Sequence, residues 1–338
     1  MSASIFLRKI AIALAIVGAC GAVVGSAAAS EWKCYTYQAA PASPVNIGLQ
    51  KMADKLKEIT GGEINMTCNV GGSLPIDANS IAPAISDGVL DFGSTSTISG
   101  YVPLAAIGIL PGMFSSNADY DERGWPFLEE IIEEEFDKRN IKVLGIYHYP
   151  PQVVLGSKKA PPLKSLFDLK GRTIRVGNPE VADLAKALGA VPVTLPTPDV
   201  SPALQRGTVE YVVTAVAAGG RLWHDFFGSA IMDPLYVSVS YIIMNKDRWE
   251  SLTPDQQEEF QEFVTETSRW ITSSQEEDDA VALKEFQEKD GWAVTPGNPD
   301  SYAQITKLME PIWTQWAEER GPEAIELLEK LKAELGHN

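Results

Sequence analysis

Short apolar runs alternate with helix-period segments along most of the chain. Residues 31–39 read as a first strand carrying Trp32, Cys34 and Tyr35, and a small-residue and proline loop follows at 40–44. Residues 45–60 have helical spacing, with Ile47, Met52 and Leu56 expected inward and Gly61-Gly62 as the stop. A strand at 64–70, a helix at 79–88 built on Ile81, Ala84 and Ile85, and a strand at 89–94 repeat the rhythm. Residues 125–139 predict an amphipathic helix with Leu128, Ile131, Ile132 and Phe136 inward and a solvated row of glutamates. Further strands are expected at 142–147, 173–176, 209–215, 237–244 and 292–296, and helices at 301–319 and 323–335. Thr253-Pro254-Asp255-Gln256 is a helix start, with a threonine cap, a proline in the first turn and a glutamine placed for a capping box. From there to about residue 289 no Pro or Gly interrupts the pattern, which is long for a globular helix. Pro198 and Pro202 limit the helix before Gly207 to a short turn. The alternation predicts an α/β protein with parallel sheets and crossover helices.

The most informative stretch is 168–214. Its strand at 173–176 ends at Gly177-Asn178-Pro179, where Asn178 suits an N-cap and Pro179 the first helical position. Val181, Leu184 and Leu188 form the buried stripe of that helix, and Gly189 fits the position that stops it. Arg175 thereby stands at a strand end beside free backbone N–H groups and the positive end of a helix dipole, a seat for a carboxylate. The local sequence equally describes an ordinary strand-turn-helix unit whose arginine pairs with a neighbouring acid. Two other segments leave alternatives open. Ser96 and Tyr101, in a hydroxyl-rich loop at 94–101, either bond a ligand's polar tail or cap local turns. Trp223, with Phe226 and Phe227 at helical spacing, lines either a site or the core, and Arg221 is an anion donor or a surface ion-pair residue.

Residues 1–29 read as a secretory targeting segment, with Arg8 and Lys9 before an apolar run at 10–24 and a cleavage site at Ala27-Ala28-Ala29. Residues 17–20 loosely match a lipoprotein box, which would leave Cys20 lipidated. Loss of Arg8 and Lys9 takes the net charge from −17 to −19, which argues against nucleic acid and anionic lipid as partners. An acid ligand would then need a local cationic site. Cys34 and Cys68, on neighbouring strands, are either a disulfide or two buried thiols. No metal-ligand spacing is present, and the acidic run at 276–279 reads as a solvated helix face rather than a calcium loop. Motifs for a nucleophile elbow, a zinc protease, a P-loop or a dinucleotide fold are missing, so neither an enzyme nor a cofactor is expected.

The ordered motifs D-L-K-G-x-x-I-R-V-x-N at 168–178, K-A-L-G-A-x-P at 186–192 and A-L-Q-x-G-x-V-E at 203–210 resemble the substrate-binding proteins of tripartite ATP-independent periplasmic (TRAP) transporters. Ser43-Pro44, 60–62, 72–74, the turn at 88–92, and Asn245 with Trp249 and Leu252 extend the likeness over nearly the whole mature chain. The resemblance implies a two-lobed periplasmic-binding-protein fold, each lobe a sheet flanked by helices, with a long helix spanning both. The lobes are expected at 30–152 with 242–282 and at 153–241 with 283–338. It implies that Arg175 grips a ligand carboxylate, with Asn178 and Thr214 in the polar shell and Trp223 and Tyr149 over the ligand body. Gln152 stands near where many relatives have a second arginine, and Thr197 where an aromatic residue often covers the ligand. Residues 110–114 depart from the family's L-P-F-x-F segment by a glycine in place of an aromatic. Ser43 is a further candidate contact. The implied function is a monomeric receptor that closes on a small organic acid, a monocarboxylate with an apolar or aromatic body, and delivers it to TRAP permease subunits. A sensor for a membrane kinase and a periplasmic enzyme using His148 or His224 are the alternatives.

Overall fold

The computed structural model describes residues 29–96 and 98–337, and its strands sort into two sheets. In chain order they are β1 (Ser30–Thr36), β2 (Ile64–Asn69), β3 (Phe92–Thr95), β4 (Ile141–His148), β5 (Val153–Ser157), β6 (Thr173–Val176), β7 (Val191–Thr194), β8 (Tyr211–Thr214), β9 (Phe227–Ile231), β10 (Val239–Asn245) and β11 (Ala293–Thr295). The first sheet has the order β2-β1-β3-β10-β4 and the second β11-β9-β5-β8-β6-β7. Both are mixed rather than parallel. β10 runs antiparallel to β3 and β4, and β5 runs antiparallel to β8 and β9. The reason is topological. β5 and β10 arrive from the opposite sheet, so each enters at the edge where the parallel strands end and must run against them.

The two crossings lie side by side. Tyr149 N–H donates to Ser238 O at 2.9 Å and Leu235 N–H to Gln152 O at 2.9 Å. A third connection is the 37-residue helix Pro254–Asp290. Thr253 and Gln256 form the predicted capping box at its start, and Gly291, at φ 68°, ends it. Gln261 Nε2 donates to Leu144 O at 2.6 Å beside the first sheet, while Asp279 accepts from Ala217 N–H at 2.7 Å beside the second.

Several local expectations change. The helix Pro44–Ile59 buries Val45, Leu49, Met52 and Leu56, but Ile47 is exposed. A Cβ at Gly48 would stand 2.5 Å from Ile271, so the close helix–helix contact fixes which face turns inward. Residues 89–91 are not strand, and exposed Val89 follows a turn at Gly88, φ 70°. In the helix Trp125–Asp137, Glu135 is buried rather than solvated and holds Lys138 and Arg139. Asp279, from the acidic run, is buried too. Thr197–Arg206 is a ten-residue helix despite its prolines. Pro198 lies in the first turn, where its N–H would have no acceptor, and Pro202 removes a single bond. Phe227 begins β9 instead of continuing a helix.

The helices Ser301–Arg320 and Pro322–Leu335 reach beyond the second sheet. Trp313 Nε1 donates to Pro111 O at 3.0 Å, and the Thr306 hydroxyl to Gly112 O at 2.8 Å. The expectations for residues 1–28, including lipidation at Cys20, lie outside the described residues.

Candidate functional site

The carboxyl ends of β1, β3 and β4 face those of β6, β7 and β8 across the crossing segments, so the side chains there line one cleft. On the side of the first sheet these are largely hydroxyls. Tyr149 is nearly buried, and its phenol lies 2.7 Å from the Tyr37 hydroxyl, accepts from Gln38 Nε2 at 2.7 Å and lies 3.3 Å from the Tyr147 hydroxyl. Tyr37 also meets Ser96 Oγ at 2.8 Å. Burial, then the neighbouring phenols, push the Tyr149 phenol well above its usual pKa, so this network stays neutral and supplies both donors and acceptors.

Opposite stands Arg175, at 8 % exposure the single buried Lys or Arg among the described residues. Its Nε and Nη2 donate to Leu195 O at 3.0 and 2.7 Å, and its guanidinium carbon lies 5.6 Å from the centre of the Trp223 ring. Among the described residues no carboxylate forms an ion pair with it. Burial lowers its pKa, an effect partly opposed by Tyr236. Leu195 and Trp223 thus fix the plane of the fork while leaving Nη1 unpaired. Tyr236, on the second crossing, stands between the two sides. Burial pushes its phenol up to about 12, while Arg175 and the Asn178 side chain pull it down, and Tyr37 and Glu180 also act on it. The predicted cap is present, with Asn178 Oδ1 accepting from Val181 N–H at 2.9 Å. Thr214 Oγ1 accepts from Gly219 N–H at 3.1 Å. A Cβ on Gly219 would collide with both Thr214 and Trp223, so glycine lets this turn close over them.

Arg175, Asn178 and Trp223 are therefore drawn together on one side, with Thr214 joined through Gly219, while Tyr149 and Ser96 meet at Tyr37 on the other. The remaining candidates are placed elsewhere. Ser43 caps its helix, accepting from Asn46 N–H at 3.3 Å. Gln152 folds back to donate to Pro150 O at 2.9 Å, and Thr197 is exposed at the start of its helix. Tyr101 lies under Arg139, 5.8 Å away, near the end of the sheet remote from the cleft. Arg221 pairs with Asp278 at 2.9 Å and Glu285 at 3.3 Å on the long helix.

A family model described as "Bacterial extracellular solute-binding protein, family 7" matches residues 35–320. The chain belongs to this family. The C4-dicarboxylate-binding protein DctB of Bacillus subtilis (strain 168) is 24% identical over 309 residues, covering 88% of this chain and 86% of that one. Among solved structures, a TRAP solute-binding protein of Desulfovibrio salexigens with bound orotic acid superposes with a TM-score of 0.80 at 21% identity, over 91% of this chain and 99% of the other. A Bordetella pertussis solute receptor binding pyroglutamic acid gives a TM-score of 0.78 at 20% identity, over 90% and 100%. The two-lobed fold of TRAP solute-binding proteins is thus the fold of this chain.

In this family 7 protein the sequence did not single out Tyr37, Gln38, Tyr147, Tyr236 or the Leu195 carbonyl. Tyr37 carried one usable signal, its place just past a strand end. Cys34 and Cys68 are free thiols directly opposite each other in the β1–β2 register, and burial raises the Cys34 pKa. His148 lies outside the cleft network, its Nε2 2.7 Å from Asp121, and borders a groove of about 1060 Å³ behind β4. Glu129, Glu133, Glu258 and Glu276 also line that groove, a poor field for an anion.

Proposed function

We propose that this protein is the periplasmic receptor of a TRAP transporter, exported by a leader cleaved near Ala29. It captures a small organic acid by closing its two lobes and delivers the acid to membrane permease subunits. The lobes are 30–152 with 242–282 and 153–241 with 283–338, hinged at the paired crossings. The observation that carries this reading is the buried Arg175 guanidinium, without a carboxylate partner among the described residues and oriented by Leu195 and Trp223. Burying an uncompensated charge costs several kcal/mol. A ligand carboxylate arriving at the free side of the guanidinium offsets that cost and gains charge-assisted hydrogen bonds. Asn178 and Thr214 complete the polar shell. A single buried cation, with Gln152 turned onto the backbone, favours a monocarboxylate. Trp223, Tyr149, Tyr37 and Tyr236 offer an aromatic lining for its body. The relatives with bound orotic and pyroglutamic acids support an organic acid as the ligand class.

The test begins with a thermal-shift panel of orotate, pyroglutamate, lactate, phenylacetate and succinate, since a ligand bound only by the folded state raises Tm. Titration of the best acid into Arg175→Ala should then show a loss of about 2–5 kcal/mol. A loss smaller than about tenfold in Kd, roughly 1.4 kcal/mol, means that the carboxylate is held elsewhere.

A further inference from the structure

Tyr37, Ser96 and Tyr149 are each the first residue after a strand, β1, β3 and β4 respectively, so all three stand at the cleft edge of the first sheet. From Ser96 a continuous row of hydroxyls runs inward. Ser96 Oγ lies 2.8 Å from the Tyr37 phenol, Tyr37 2.7 Å from Tyr149, Tyr149 3.3 Å from Tyr147, and Tyr147 3.2 Å from Ser94 Oγ. Ser94 Oγ then donates to Thr36 Oγ1 at 3.2 Å. Ser96 and Tyr37 are half-buried, whereas Tyr147, Ser94 and Thr36 are fully enclosed. Burial pushes the Tyr147 and Tyr149 phenols up, so both keep their protons.

Each hydroxyl has one proton to donate and two lone pairs to accept with. Ser94 spends its proton on Thr36, so the bond between Ser94 and Tyr147 takes the Tyr147 proton. Tyr149 must then donate to Tyr147, Tyr37 to Tyr149, and Ser96 to Tyr37. Gln38 Nε2 donates to Tyr149 at 2.7 Å and fills the second lone pair of that phenol, which agrees with this direction. Taken singly these hydroxyls donate and accept; taken as a row, every proton from Ser96 to Ser94 points into the sheet. Ser96 Oγ keeps two lone pairs and Tyr37 one. Gln38 has a second amide hydrogen, but its amide is tied to Tyr149, so the Ser96 hydroxyl meets a ligand with lone pairs alone. We propose that Ser96, backed by Tyr37, is an acceptor-only contact, and that the acid held by Arg175 bears a hydroxyl or N–H donor on the part facing the first sheet. A carbonyl in that place is rejected, because two sets of lone pairs would then face each other. This rests on the acid-receptor reading and narrows it.

Sets of acids that differ only in this group test the idea by titration calorimetry: lactate, pyruvate and propionate; 4-hydroxypentanoate, 4-oxopentanoate and pentanoate; 4-hydroxyphenylacetate, 4-fluorophenylacetate and phenylacetate. In the set whose size fits the pocket, wild-type protein should bind the hydroxyl member about tenfold or more tighter than the acceptor-only member, which should bind no better than the plain acid. Tyr37→Phe keeps the ring but removes the oxygen that takes the Ser96 proton. Ser96 can then donate, and the ratio should fall to within about threefold, chiefly because the acceptor-only member binds better. Equal wild-type binding of the hydroxyl and acceptor-only members overturns the inference and needs no variant. So does a Tyr37→Phe protein that keeps the ratio, or one that weakens both members alike, which would make Tyr37 structural. Should no acid raise the wild-type Tm, or should Arg175→Ala bind them all as well as wild type does, the receptor reading itself fails and takes the inference with it.

Discussion

Arg175 shows how much one side chain can owe to its backbone. Strand β6 carries it to the cleft edge, and the Leu195 carbonyl at the end of the neighbouring strand engages two of its nitrogens. A lysine there would present one compact ammonium, unable to keep the Leu195 contact and also offer a fork to a carboxylate. Arg175→Lys should therefore fold like wild type yet bind the acid about tenfold or more weakly, as read by titration calorimetry. Binding equal to wild type would show that charge alone suffices. The residues around Arg175 divide by how visible they are in sequence. Asn178 and Pro179 declare themselves, because a cap and a first-turn proline are local chemistry. Tyr236 does not, since a tyrosine before a strand is commonplace until something brings it beside a guanidinium.

At the scale of elements, the glycine at 112 in place of an aromatic has a structural account. Gly112 takes φ 73°, and a Cβ there would stand 2.9 Å from the backbone nitrogen of Thr306 and 3.0 Å from its Cα. The helix Ser301–Arg320 approaches so closely that its Thr306, Trp313 and Tyr302 side chains bond the carbonyls of Gly112, Pro111 and Met113. Gly112→Ala should lower stability by roughly 2 kcal/mol or more, combining left-handed strain with overpacking against backbone. Thermal denaturation measures it, and an unchanged Tm would mean that the segment and helix part easily. The motif at 88–92 is likewise an anchor. Asp91 accepts from Lys33 N–H and from Arg248 Nε, both at 2.7 Å, and Asn245 Nδ2 donates to Ile85 O at 2.8 Å. Those bonds tie β3, β10 and the helix Ile81–Ser86 together, although the fragments lie far apart in the chain.

Across the whole molecule, the long helix contacts both halves. Its Asp279 is a buried strut under the turn that carries Gly219 and Trp223, accepting from Ala217 N–H. Burial pushes its carboxyl up to about 6, opposed by the Ala217 and Val216 N–H groups; Asp278 adds to the rise and Arg221 opposes it. Because the folded-state pKa lies above the unfolded one, the folded protein holds this proton more tightly. Its contribution to stability is full below the ordinary aspartate pKa and is lost as pH rises through about 6. Asp279→Asn cannot ionise and keeps an acceptor for Ala217. Its Tm relative to wild type should therefore climb between about pH 4 and pH 6 and then level off. Scanning calorimetry across that range decides the matter, and a constant difference would show that Asp279 does not titrate with folding.

What the sequence determined by itself is whatever depends on neighbours in the chain. The strand Thr173–Val176, its capped helix, the glycine stops and both ends of the 37-residue helix follow from local hydrogen bonding and backbone sterics. Tertiary structure decided what depends on distance. It turned Ile47 outward where Gly48 meets Ile271, and it kept Thr197–Arg206 helical by packing Val200, Ala203 and Leu204. It also ran β5 and β10 against their neighbours because they come from the other sheet. The cleft belongs to this second kind. Tyr37, Tyr149, Arg175 and Tyr236 come together through two sheets and two crossings, and no local period in the chain encodes that meeting.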